Sequence, residues 1–223
     1  MPVSLIVFDL DGTLIDSRLD LAESTNEMLG SYGAAPLPVD RVAMLVGEGA
    51  RVLVERALEA AGLDRAEPEA LARFRAIYDR RLLGHTRPYE GIPQLVQQLS
   101  EAHTLALLTN KPDEPTRRLL ETFDLARFFP RVIGGDGAHP RKPDPAGLQA
   151  IMRDYAATPA DTWLVGDSMI DVETARRAGT RMCVALYGFG QLRGELVLDG
   201  TESVVKAPSE IADVVLDNRS IDR

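Results

Sequence analysis

Short apolar runs that each close on a polar residue or glycine limit this chain more than any other feature. They are Leu5-Ile6-Val7-Phe8, Thr104-Leu105-Ala106-Leu107-Leu108, Arg131-Val132-Ile133, Thr162-Trp163-Leu164-Val165 and Met182-Cys183-Val184-Ala185-Leu186, with a weaker one at Ser203-Val204-Val205. Apolar residues follow one another there with little polar alternation. Each run therefore needs cover on both faces, the habit of strands in a parallel sheet. Helical patterns stand between the runs. Ile92, Leu95, Val96 and Leu99 share a helical face, and Asp113 is placed to cap a helix through Arg117 to Thr122. Asp144-Pro145 reads as an N-cap and first-turn proline, and Ser168 opens a helix that Gly179 closes. This order predicts an α/β fold, a Rossmann-like doubly wound parallel sheet.

The alternation breaks once. Between positions 14 and 88 no strand-like run occurs, and helical patterns cover roughly 18–32, 38–46, 49–61 and 67–83. In the third, Ala50, Leu53, Ala57 and Ala60 recur at helical steps with Arg51, Glu55, Arg56 and Glu59 between them. The expectation is an α-helical cap domain, 16–88, inserted into a core built from 1–15 and 89–223, with hinges near 15–17 and 87–90.

Composition narrows the partners. The 223 residues are 45% apolar, enough for a real core, and carry a net charge of −9. The densest basic clusters are pairs, Arg80-Arg81 and Arg176-Arg177, so the basic stripe of a nucleic-acid binder is missing. No apolar run approaches the ~18 residues of a membrane span, and the run from Val3 to Phe8 is too short for a signal-peptide core. The single cysteine, Cys183, permits no intrachain disulfide and reads as a buried strand residue. The expectation is a cytoplasmic protein, monomeric or homodimeric, with no nucleic-acid or membrane partner.

Four stretches at the ends of apolar runs carry the chemistry. In Asp9-Leu10-Asp11-Gly12-Thr13, two carboxylates stand at i and i+2 beyond a strand, where open α/β sheets bind ligands. A metal ion is a natural neutraliser for such a pair, although Asp and Gly after a strand also make simple turns. In Thr109-Asn110-Lys111, a hydroxyl and backbone N–H groups suit a phosphate oxygen, or equally a turn or helix cap. Lys142 lies between Arg141 and Pro143-Asp144-Pro145, where an ammonium can neutralise a phosphoryl group or simply sit exposed in a loop. In Gly166-Asp167-Ser168-Met169-Ile170-Asp171, Asp167 ends a strand and suits a metal. Asp171 fits either a metal site or the far end of a capping pattern with Ser168. Arg51, beside Gly47-Glu48-Gly49 in the insert, is a candidate for a substrate carboxylate or a solvated helix residue, and Tyr187-Gly188-Phe189-Gly190 is placed to line a site mouth.

Taken in order, Asp-x-Asp-Gly-Thr, Thr-Asn, Lys-Pro-x-Pro and Gly-Asp-Ser-x-x-Asp resemble the haloacid dehalogenase-like hydrolases over roughly positions 5–190. Val46-Gly47-Glu48-Gly49 and Pro88-Tyr89-Glu90-Gly91 add a weaker resemblance to the phosphoglycolate phosphatase group. The resemblance implies a magnesium-dependent phosphatase for a small phosphorylated metabolite, with 2-phosphoglycolate the leading expectation. By similarity Asp9 is the nucleophile, Asp11 the acid/base, and Lys142 a catalytic and phosphoryl-binding ammonium. Thr109, Asn110 and Arg51 join Lys142 in binding substrate. Mg2+ is held by Asp9, the Asp11 carbonyl, Asp167 and, directly or through water, Asp171. A phosphosugar mutase of β-phosphoglucomutase type would share Asp9, Asp11, Lys142 and the cap, but Gly166-Asp167-Ser168 resembles phosphatases more. The acid at Asp11 separates the chain from the dehalogenating members, and intact acids at 9, 11 and 167 speak against a non-catalytic binding module.

Overall fold

The structure is a computed structural model and describes residues 4–194 and 196–216. The expected core segments extend beyond these limits, so positions 1–3, 195 and 217–223 lie outside the described residues. In chain order the elements begin with β1 (Leu5–Phe8) and β2 (Ile15–Asp16), followed by four helices: α1 (Arg18–Gly30), α2 (Val39–Ala43), α3 (Ala50–Ala60) and α4 (Ala70–Arg81). Then come β3 (Arg87–Pro88), α5 (Ile92–Ser100), β4 (Thr104–Leu108), α6 (Asp113–Thr122), β5 (Arg131–Ile133) and α7 (Ala146–Asp154). The chain continues through β6 (Thr162–Gly166), α8 (Met169–Ala178), β7 (Arg181–Ala185), β8 (Ser203–Val205) and α9 (Ile211–Leu216).

Six strands form one parallel sheet in the order β5-β4-β1-β6-β7-β8. Period-two geometry explains why β1 reads as unbroken apolar sequence. Ile6 and Phe8 join a cluster with Ile92 and Val96 of α5 and Ile211 of α9. Leu5 and Val7 join another with Leu148 of α7 and Val172 of α8. All four β1 residues are at most 1% exposed. Trp163 and Cys183 are buried in the same sheet, as expected. From β1 the chain builds outward through β4 and β5, then crosses to β6, β7 and β8 on the other side. The carboxyl ends of β4, β1 and β6 therefore lie side by side at the reversal point, where a crevice opens.

Helices α1 to α4 lie between two very short strands. β2 and β3 pair antiparallel, Ile15 opposite Pro88 and Asp16 opposite Arg87. The return is pinned by buried Asp20, whose Oδ2 accepts the N–H groups of His85 (2.9 Å) and Thr86 (2.7 Å) and the Thr86 hydroxyl (2.7 Å). α1 packs on α2, α3 and α4, and Met28, Leu53, Leu58 and Phe74 extend the apolar cluster of one sheet face into the inserted helices. The segment expected as helix at 38–46 is helical only over Val39–Ala43, because the chain then enters Gly47 and Gly49 at φ 130° and 91°. The helix expected from Asp144 begins at Ala146, whose N–H the Asp144 side chain accepts at 2.9 Å. Among the described residues no helix is long and apolar enough to cross a membrane.

Candidate active site

The ladder of β1 runs one residue past the strand. Asp9 N–H donates to the Val165 carbonyl at 2.9 Å, which keeps Asp9 in register beside β6. Gly12 then turns the chain back at φ 88°, its N–H on the Ile15 carbonyl. A Cβ at Gly12 would lie 2.0 Å from Asp167 Oδ2, so only glycine lets this loop rest against the end of β6.

Asp9, Asp167 and Asp171 form one buried group, each offering a carboxylate oxygen within 4.8 Å of the others. Lys142 reaches them from the loop before α7, with Nζ 2.9 Å from Asp9 Oδ1 and 2.5 Å from Asp171 Oδ1. The second Asp171 oxygen accepts the Ser168 N–H at 3.1 Å and the Ser168 hydroxyl at 2.7 Å. The capping and site readings of Asp171 are therefore compatible, one oxygen for each. Asp167 Oδ2 accepts the N–H groups of Phe189 (3.0 Å) and Gly190 (2.7 Å). Those two residues belong to the stretch expected at the site mouth, but their grip on Asp167 had no signal in the sequence.

Three carboxylates face one ammonium here, a deficit of two positive charges in a buried place. The proton affinities of these groups follow from it. Burial pushes the Asp9 carboxyl up to about 6 against the pull of Lys142, with Asp171 adding to the rise. Burial lifts Asp167 well above the usual carboxylate range, reinforced by Asp171 and Asp9. Burial also disfavours the Lys142 ammonium, yet Asp171 and Asp9 outweigh it and hold Lys142 above the ordinary lysine value. A hard divalent cation that takes carboxylate oxygens fits both the donor set and the missing charge.

Asp11 belongs to a separate pair. Lys111 Nζ is 3.0 Å from both Asp11 oxygens, and the Ser17 hydroxyl donates to Oδ1 at 2.6 Å. The same ammonium donates to the hydroxyl of Tyr78, on α4, at 2.6 Å. Burial works against the charged form of Lys111, but Asp11 and Tyr78 keep it above the ordinary lysine value, while burial pushes the Tyr78 phenol up to about 12. In the sequence Lys111 merely closes the Thr-Asn stretch, with no signal of a role. Its partners lie 100 and 33 positions away, beyond any local pattern.

Several of these groups border a cavity of about 350 Å³ between the sheet ends and the inserted helices. Asp9, Asp11, Thr109, Lys111 and Asp167 line it from below, and Leu21, Ala50, Leu53, Phe74 and Tyr78 from above. Thr109 is 3% exposed. Asn110 also borders the cavity, but its amide is committed elsewhere than the expected substrate contact. Nδ2 donates to the carbonyls of Gly47 and Lys142, and Oδ1 accepts the Lys142 N–H, each at 2.9 Å. Asn110 thus ties an inserted loop to the Lys142 loop. Arg51 requires a correction, for it is exposed and does not line the cavity. Ala50 and Leu53 share the inner face of α3, and one residue along a helix turns Arg51 away from it. The cations that do line the cavity, among the described residues, are Lys111 and, at the exposed rim, Arg75.

A sequence model described as haloacid dehalogenase-like hydrolase matches residues 6–185. The chain is 38% identical over 230 residues to phosphoglycolate phosphatase 1 of Pseudomonas aeruginosa, covering 97% of this chain and 84% of that protein. It is 31% identical to a phosphoglycolate phosphatase of Aquifex aeolicus, covering 98% and 99% of the two chains. Among solved structures, a predicted phosphoglycolate phosphatase from Haemophilus somnus 129pt superposes with a TM-score of 0.88 at 27% identity, covering 96% of this chain and 98% of that one.

Proposed function

The chain belongs to the haloacid dehalogenase-like hydrolases, as a phosphoric monoester hydrolase of the phosphoglycolate phosphatase-like group, and from that premise we propose that it hydrolyses 2-phosphoglycolate through a phosphoaspartate on Asp9. The observation that carries the mechanism is the placing of two carboxylates with different partners at one strand end: Asp9 with Lys142 and the acidic group, Asp11 with Lys111. The substrate rests on the relatives' names and on a cation beside Asp11.

In this reading an Asp9 oxygen attacks phosphorus while the bond to the leaving oxygen breaks. Asp11 gives its proton to that oxygen, and the alcohol departs. Asp11 then takes a proton from water as the water attacks the phosphoaspartate, which restores Asp9 and releases inorganic phosphate. Lys142, kept charged by Asp9 and Asp171, neutralises the transferring oxygens. The buried Thr109 hydroxyl, whose oxygen accepts the Lys111 N–H at 3.2 Å, orients them. Mg2+ would be held by Asp9, Asp167 and the Asp11 carbonyl, with Asp171 directly or through water, and would supply charge neutralisation at the phosphoryl group.

Residues 16–88 act as the cap that excludes water, with β2 and β3 as its hinge. The protein works in the cytoplasm on a small metabolite, without nucleic-acid or membrane partners, as a monomer or homodimer. The test is a phosphate-release screen over a metabolite panel with Mg2+, ranked by kcat/KM. 2-Phosphoglycolate should rank first, and a flat profile or a different leader would overturn the substrate assignment.

A further inference from the structure

Resting on that reading, the surroundings of Asp11 define what the leaving group must carry. Asp11 protonates the leaving oxygen, so that oxygen comes within about 2.7 Å of an Asp11 oxygen. Lys111 Nζ is already 3.0 Å from both Asp11 oxygens. The leaving oxygen is then at most about 6 Å from the ammonium, a gap that one carbon and a carboxylate span. Lys111 is a built element of the cavity wall, its side chain 4% exposed. The Tyr78 hydroxyl accepts one of its protons, and no acceptor for the Tyr78 proton occurs among the described residues. Since Tyr78 lines the cavity, it supplies a second donor beside the cation.

The rest of the cavity favours a short anion. Leu21, Leu53 and Phe74 give apolar walls, and the exposed Asp79, Glu114 and Asp136 stand at its border. A carboxylate on a long tail would reach the exposed rim, where Asp79 and Glu114 already hold Arg118, whereas one close to the ester oxygen meets the buried Lys111.

We propose that Lys111, assisted by the Tyr78 hydroxyl, is the receptor for the substrate's carboxylate on the carbon next to the ester oxygen, and so the residue that sets the preference for that ester. This role replaces the one expected for Arg51.

The experiment compares kcat/KM, with Mg2+ present, for 2-phosphoglycolate, the neutral 2-hydroxyethyl phosphate and 4-phosphooxybutyrate. A charge-assisted contact of this kind is worth about 10- to 100-fold, so the parent enzyme should prefer 2-phosphoglycolate to both others by about 30-fold. In Lys111→Met that preference should fall to within about threefold, mostly through KM; in Tyr78→Phe it should drop about fivefold; in Arg75→Ala it should stay within about twofold. A parent without the preference overturns the proposal. So does a Lys111→Met enzyme in which all three esters decline in equal proportion, since Lys111 would then act only through Asp11. Transfer of the effect to Arg75→Ala overturns it as well. Should Lys111→Met not fold, the parent's preference and Tyr78→Phe still decide. Phosphate release that survives Asp9→Asn overturns this proposal together with the mechanism it rests on, whereas a preference that ignores Lys111 overturns this proposal alone.

Discussion

Lys142 Nζ lies 2.5 Å from Oδ1 of Asp171, a carboxylate whose other oxygen is held by Ser168 at the start of α8. The ammonium beside Asp9 is thus braced by the first turn of a helix on the neighbouring strand-helix unit. Asp171→Asn keeps the shape and removes the charge. Breaking a buried ion pair costs about 3–5 kcal/mol, but Lys142 keeps Asp9 and the asparagine keeps some of the cap, so a loss of about 2 kcal/mol is expected in urea unfolding. The kcat should fall about 100-fold with little change in KM, because a loosened Lys142 matters most to the transition state.

Asp9 sets a pH dependence in the metal-free protein. Its carboxyl rises from 3.8 to about 6 on folding. Between those values the folded state binds more protons than the unfolded one, so stability falls as pH rises through the window. The loss attributable to Asp9 sets in above pH ~4 and is complete above about 6. Asp167, raised well above the usual range by burial, adds a loss in the same direction. Mg2+ should therefore increase Tm more at pH 7.5 than at pH 5, measured against EDTA by thermal unfolding.

Asn110 joins the loop of Gly47 to that of Lys142 through three hydrogen bonds. Asn110→Ala leaves two carbonyls and one N–H short of a partner, at a cost of about 2–3 kcal/mol. The KM for 2-phosphoglycolate should rise about tenfold as the link between insert and core weakens, seen in steady-state kinetics together with faster limited proteolysis.

Arg51→Ala should leave kcat/KM for 2-phosphoglycolate within about twofold of the parent, since an exposed side chain off the cavity wall has no substrate to hold.

The contrast between Arg51 and Lys111 marks what could be read from the chain. The sheet was legible because β1, β4, β6 and β7 are buried on both faces, which leaves unbroken apolar runs. Three of the four stretches were legible because each ends such a run, and ends of neighbouring parallel strands lie together, whereas Lys142 stands in the loop between β5 and α7. β2 and β3 leave no strand signal because two residues cannot display a period. The apolar steps of α3 already set Arg51 off the Ala50-Leu53 face; what the chain could not show is that this face, rather than the charged one, lines the cavity. Lys111 carries no such signal, because its meaning lies in Asp11 and Tyr78, which only the folded chain brings to it.

Acid quench of the enzyme during turnover of 2-phosphoglycolate with Mg2+, followed by peptide mapping, asks most directly whether Asp9 is the nucleophile. The account predicts phosphate on the peptide that contains Asp9, none there without substrate, and no turnover in Asp9→Asn. Phosphate captured on another residue, or undiminished turnover by Asp9→Asn, would contradict it.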